Sequence, residues 1–161
     1  NSCGSCTSGC GRRKLLRFKV PISVLVVIYT PDLRVLLLER ADRPGFWQSV
    51  TGSQHEGEIL EQTAIREVAE ETGLDVSRYR LTDWNISNEY EIFKEWRWRY
   101  PPGVTRNTEH VFGLVVPSPL PVTLEPKEHL QYLWLPWREA AERAFSWSNA
   151  AAIRRLPEFV A

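Results

Sequence analysis

The stretch "GSQHEGEILEQTAIREVAEETGL", residues 52–74, decides how this chain is to be read. It carries Glu56, Glu58, Glu61, Glu67, Glu70 and Glu71. Like charges at such spacing repel and weaken an isolated helix. Residues 58–72 nevertheless read as a helix, with Gly73 where a C-cap glycine belongs. On a wheel of about 100° per residue, Glu67, Glu70 and Glu71 fall at about 0°, 300° and 40°, one acidic edge. Leu60, Ala64 and Val68 fall at about 20°, 60° and 100° by the same count. The edge therefore borders the apolar stripe, whereas a solvated face would point away from the core. Carboxylates held half-buried and close together need a counter-charge. A hard divalent cation supplies it, since Mg²⁺ and Mn²⁺ take carboxylate oxygens and keep sites for a phosphate. On the helix alone, a surface helix laced with pairs among Glu58, Glu61 and Arg66 reads equally well. The preceding Thr51-Gly52 and Gly57 favour the cation, because glycine permits close approach of a loop to a bound group.

Working outward, "FKVPISVLVVIYT" (18–30) reads as a strand with a near-continuous β-branched run. A turn at 31–34 and a second strand at 35–40 make residues 22–40 a hairpin. Residues 46–52 form a short strand into Gly52, 79–93 one or two strands, and 94–107 a loop. Strands follow at 108–117 and 130–137, then two closing helices at 137–145 and 148–156. With no repeat or linker, the expectation is one α+β domain over residues 14–161 with a mixed sheet.

Lys+Arg and Asp+Glu are both 20 in 161 residues, so the formal net charge is zero. That argues against a stable nucleic-acid partner bound through bulk charge. No apolar run reaches the length of a membrane span, and no secretory signal is visible. The chain contains no Met, so its natural start is taken to lie outside it. Its three Cys (Cys3, Cys6, Cys10) all lie in "NSCGSCTSGCGRR", residues 1–13. A disulfide framework is thereby excluded, which fits a reducing, cytoplasmic setting. With no fourth ligand nearby, residues 1–13 are expected to be a disordered or vector-derived tail, not a zinc site.

Gly52, Glu58, Arg66, Glu67, Val68, Glu70, Glu71, Gly73 and Leu74 fill, in order, every fixed position of G-x5-E-x7-R-E-U-x-E-E-x-G-U, with U aliphatic. By this motif the chain resembles the Nudix family. The resemblance implies the Nudix fold, a mixed β-sheet sandwiched between α-helices. It also implies Mg²⁺-dependent cleavage of a nucleoside-diphosphate-like substrate, with Glu67 and Glu71 as principal metal ligands. Glu70 becomes a further ligand or the base, and Arg66, with Glu58, orients the carboxylates.

Outside the motif, "KVPISVLVVIY" (19–29), "FWQSVTGS" (46–53), "EIF" (91–93), "RYPPGVTRNTE" (99–109), "EHL" (128–130) and "SWSN" (146–149) resemble the branch of that family that cleaves dihydroneopterin triphosphate in folate biosynthesis. "HEG" (55–57) stands where that branch has Glu-Glu-Gly, with His55 read as a solvated loop residue. This second resemblance implies a pyrophosphatase that releases pyrophosphate and dihydroneopterin monophosphate. It makes Glu128 the third metal carboxylate and a second candidate base. Lys19, Arg40, Thr51, Ser146 and the segment Tyr90, Glu91, Ile92 and Phe93 become substrate contacts. Lys19 and Arg40 suit phosphate charge. Tyr90, Phe93, Trp96 and Trp98 suit a stacking wall for a flat bicyclic ring. Glu91 suits the paired N–H donors on a pterin's pyrimidine edge. Two rival Nudix readings are a hydrolase of dATP or oxidised dGTP and an RNA 5′-end pyrophosphohydrolase. A rival of another class is a non-catalytic nucleotide sensor, against which the full set of carboxylates speaks.

Overall fold

The computed structural model describes residues 18–160; the expected tail at 1–13 lies outside the described residues. β1 (Ile22–Tyr29) is the β-branched run, and all of it but Ile22 is buried. Burial on both faces is what such a run requires. β1 pairs in parallel with β6 (Arg106–Val115), from Ile22 opposite Thr108 to Tyr29 opposite Val115. β5 (Arg80–Glu91) closes that side antiparallel to β6 as one strand, with a bulge between Asp83 and Ile86. Asn85 in the bulge takes φ 56°, a left-handed conformation that asparagine tolerates better than most residues.

The expected 22–40 hairpin is a fork instead. β1 meets β2 (Arg34–Arg40) in register only at Tyr29 opposite Val35. Lower down, β1 pairs antiparallel with β4 (Val50–Ser53), Ser23 opposite Ser53 through Val26 opposite Val50. β2 swings away to β7 (His129–Pro136) and to the two-residue β3 (Trp47–Gln48). The sheet thus opens on the side where β4 delivers Gly52. The expected 94–107 loop contains a 3-10 turn over Lys94–Arg99.

The acidic helix, α1 (Leu60–Thr72), lays Ala64 and Val68 on Val24, Val26, Leu38 and Phe112. It starts two residues later than expected, after Ile59, so Glu58 belongs to the turn before it. Gly73 ends it at φ 74°, its N–H donating to the Ala69 carbonyl. The opposite face of the sheet, with Leu25, Val27, Leu37 and Val111, is covered by α2 (Trp137–Arg143) and α3 (Trp147–Arg154). The sheet is therefore sandwiched between helices, as the sequence implied. No helix among the described residues is long and apolar enough to cross a membrane.

Candidate active site

The loop from β4 to α1 is tied by Arg66. Its Nε donates to Glu58 Oε2 at 2.7 Å, and its Nη1 to Glu67 Oε1 at 2.6 Å and Glu70 Oε2 at 3.2 Å. Its Nη2 reaches the Ser53 carbonyl at 2.9 Å, pinning helix to strand. Glu58 also accepts from the His55 N–H and the Thr63 hydroxyl. The Arg66 guanidinium holds the Glu58 carboxyl down to about 2. Gly52 serves close approach here: a Cβ on it would lie 2.0 Å from Glu67 Cδ.

Glu71 is 6% exposed, and its Oε2 has no partner among the described residues. Burial pushes its carboxyl well above the usual range, and Glu67 and Glu128 push it further. His129 Nε2 lies 3.4 Å from Glu71 Oε1. Burial, with Arg40, drives the His129 imidazole down to about 4, so at neutral pH it carries no charge to offset Glu71. As placed, no three His, Cys, Asp or Glu side chains among the described residues close around a common point. Glu67 is turned onto Arg66, and Glu128 stands exposed on its loop. The donor set still fits a hard divalent cation: all-oxygen, crowded, with a buried orphaned carboxylate at its centre.

From this acidic edge a cleft of about 1340 Å³ runs beneath α3 to the ends of β5 and β6. Lys19, Arg40 and Arg99 line it. Burial lowers the Lys19 pKa, and its cationic neighbours Arg99 and Arg40 lower it further, against the pull of Glu67 and Glu128. The Arg40 fork is closed on Asp42, two bonds of 2.7 Å, and its plane lies over Trp96 at 4.5 Å. Phe93, Trp96 and Phe145 form one aromatic wall, with centroids 5.2 to 6.4 Å apart.

Residues 19–156 match the sequence profile of the NUDIX domain. The chain belongs to the Nudix family. It is 50% identical over 142 residues to dihydroneopterin triphosphate diphosphatase of Escherichia coli (strain K12), spanning 86% of this chain and 93% of that protein. Its identity to the Haemophilus influenzae protein of the same name is 44% over 144 residues, 88% of this chain and 90% of the other. The solved structure of the E. coli dihydroneopterin triphosphate pyrophosphohydrolase superposes with a TM-score of 0.81 at 50% identity, covering 86% of this chain and 95% of that one.

The Nudix carboxylates Glu67, Glu70 and Glu71 thus gather at one end of the cleft, and Glu128 joins them from the loop before β7. The ring-side expectations divide. Tyr90 and Phe93 line the cleft, and Ile92 is buried against it. Trp98 is not part of the wall: it is 72% exposed, with the Arg99 guanidinium over its face. Glu91 also lines the cleft. It lies at the rim, 68% exposed, and accepts from Arg97 Nη2 at 2.8 Å. Strand alternation explains this, because Tyr90 and Ile92 take the inward side and leave residue 91 the outer one. Thr51 and Ser146 line the cleft with hydroxyls already engaged, Thr51 donating to the Val24 carbonyl and Ser146 accepting from the Asn149 N–H at the start of α3. His55 is exposed, as a loop histidine should be.

Asn107, Glu109 and His129 were missed. All three are buried and line the cleft. Their signal was alternation along β6: Asn107 and Glu109 share a face with the core residue Val111, so both had to point inward.

Proposed function

We propose that this chain hydrolyses dihydroneopterin triphosphate to dihydroneopterin monophosphate and pyrophosphate. One observation carries the reading: a single cleft is lined both by the Nudix carboxylates and by the aromatic wall of Phe93, Trp96 and Phe145. That layout suits a flat bicyclic ring bearing a triphosphate. The 50% identity to a protein of that name, over 93% of its length, supports the same substrate.

Glu67, Glu71 and Glu128, with Glu70 beside them, are the residues that would hold the divalent cation. Bound there, Mg²⁺, or Mn²⁺ in its place, supplies Lewis acidity and neutralises phosphate charge. Arg66 fixes the orientation of Glu67 and Glu70 by hydrogen bonds. Lys19 and Arg99 draw the triphosphate inward, and their mutual repulsion is relieved when the anion arrives. Arg40, its fork filled by Asp42, acts through its charge and through Trp96. Water attacks a phosphorus of the triphosphate, its proton passes to a carboxylate, and the P–O bond to pyrophosphate breaks with its electron pair leaving on oxygen. Glu70 suits the proton transfer: it is 56% exposed, open to water, yet tethered to Arg66.

The test is a substrate panel with Mg²⁺, reading pyrophosphate against phosphate release. Dihydroneopterin triphosphate should turn over faster than dATP at equal low concentration, with pyrophosphate as the product. Faster turnover of dATP would replace the pterin with a purine deoxynucleotide.

A further inference from the structure

Beyond the reacting end, the cleft closes on a wall whose free polar atoms are acceptors. Asn107 and Glu109, two residues apart on β6, are 1% and 3% exposed. Glu109 Oε1 and Asn107 Oδ1 have no hydrogen-bond partner among the described residues. The donor half of Asn107 is already in use, since its Nδ2 donates to Ser23 Oγ at 2.7 Å and to the Tyr90 hydroxyl at 3.1 Å. With the amide in that orientation, its carbonyl is the half left without a partner. No cation among the described residues pairs with Glu109: burial pushes its carboxyl up to about 7, opposed by the Ser148 hydroxyl. A buried carboxylate without a counter-charge destabilises a fold unless something donates to it.

We infer that Glu109, with Asn107 beside it, is the specificity-determining acceptor that reads a ring edge of adjacent N–H donors. The inference rests on the proposed hydrolysis of a ring-bearing triphosphate and deepens it by naming the contact that selects the ring. Pterin and guanine both present a ring N–H next to an exocyclic amine, two parallel donors for one carboxylate. Adenine presents an acceptor beside its amine, so a carboxylate there meets one donor and one lone pair. The two N–H donors also hold Glu109 ionised, offsetting the burial that otherwise favours its protonated form. Glu91, on the outer side of β5 and paired with Arg97, is not placed to do this.

The experiment compares kcat/KM for dihydroneopterin triphosphate, dGTP and dATP in the wild type and in Glu109→Gln. A carboxamide offers one acceptor and one donor, the complement of the adenine edge. The pterin and guanine substrates should lose about ten- to a hundredfold, mainly through KM, from the strength of charge-assisted bonds. dATP should hold or gain, so the ratios move in opposite directions, which a merely structural residue would not produce. Equal losses on all three, or no change, overturns the inference. A wild type that ignores dihydroneopterin triphosphate sinks the proposed substrate instead, and the dGTP-to-dATP ratio then still tests Glu109. A variant-free measurement uses the wild type alone. Pterin should inhibit at least about tenfold more tightly than lumazine, which places a carbonyl where pterin has its amine. Equal inhibition by the two overturns the inference even if Glu109→Gln does not fold.

Discussion

The two ends of the cleft both bury carboxylates, and they do so by opposite means. At the α1 end, Glu58, Glu67 and Glu70 are bound by one guanidinium, while Glu71 and Glu128 have no bond to it. At the β6 end, Glu109 stands with no cation beside it among the described residues. The first arrangement is a charge network in which carboxylates outnumber the one guanidinium, suited to a cation that completes it. The second is a buried acceptor among neutral polar groups, suited to donors on a neutral ring. One end therefore handles charge and chemistry, and the other handles shape and hydrogen-bond order.

The largest expected effect breaks the α1 end. Glu71→Gln removes the buried carboxylate that Arg66 does not reach and keeps its volume. Loss of a supporting contact around a metal typically costs 10- to 100-fold, so loss of a ligand should lower kcat/KM by about a hundredfold or more. Without metal the melting temperature should hold or rise, because a buried carboxyl whose pKa is raised by burial destabilises the fold at neutral pH. Near-normal turnover at saturating Mg²⁺ would remove Glu71 from the metal set.

A smaller loss is expected from Gly52→Ala. The backbone there is not left-handed, so an alanine strains nothing by itself. Its Cβ instead meets Glu67 Cδ, and the Glu67 side chain must leave. Displacing one oriented ligand while keeping its charge should lower metal affinity about ten- to a hundredfold with little change in stability. Titrating activity against Mg²⁺ reads this directly; an unchanged midpoint would mean that Glu67 is not a ligand.

The difference between the two ends also explains what was legible in the sequence. The α1 end lies in 23 consecutive residues, 52–74, where helical periodicity converts spacing into geometry. The acidic edge beside the apolar stripe could be drawn on a wheel, and the structure buries Glu71 there. The ring end is assembled from β5, β6, the 3-10 turn and α3, and it joins the β4–α1 end through β1, which pairs in parallel with β6 and antiparallel with β4. Parallel pairing joins distant segments and leaves no local mark. Glu91 sits among aromatics in "EYEIF", but proximity in sequence does not fix a side. In a strand a shift of one residue exchanges the faces. The fork of β1 between β2 and β4 was hidden for a related reason: a tight turn at 31–34 reads as a hairpin whatever its strands do farther along.

A third variant probes the charge network by pH. The Glu58 carboxyl is held near 2 by Arg66, below its unfolded value of about 4.3. The stabilisation is therefore full above about pH 4.3 and is lost as pH falls toward 2. Glu58→Gln should lower the melting temperature by roughly 2–6 °C at pH 7, from charge-assisted bond strengths. In urea titrations from pH 7 to pH 3, the stability gap to wild type should begin to narrow below about pH 4.3. A gap independent of pH would assign Glu58 a packing role only.

The smallest effect is expected at Glu91, and it sharpens the comparison most. Glu91 and Glu109 are both carboxylates near the ring end, on neighbouring strands, and a sequence reading can exchange one for the other. The structure separates them by exposure: 68% for the Glu91 side chain against 3% for Glu109. Water screens the Glu91–Arg97 pair, and exposed pairs of this kind contribute about 0–1 kcal/mol. Glu91→Gln should accordingly change kcat/KM for dihydroneopterin triphosphate by less than about fivefold, the equivalent of 1 kcal/mol. Its ratio of pterin to dATP turnover should stay at the wild-type value. The decisive measurement places Glu91→Gln and Glu109→Gln side by side on the same two substrates. A large, pterin-selective loss in Glu91→Gln with none in Glu109→Gln would reverse the assignment. It would mean that β5 turns its last residues inward when the ring binds.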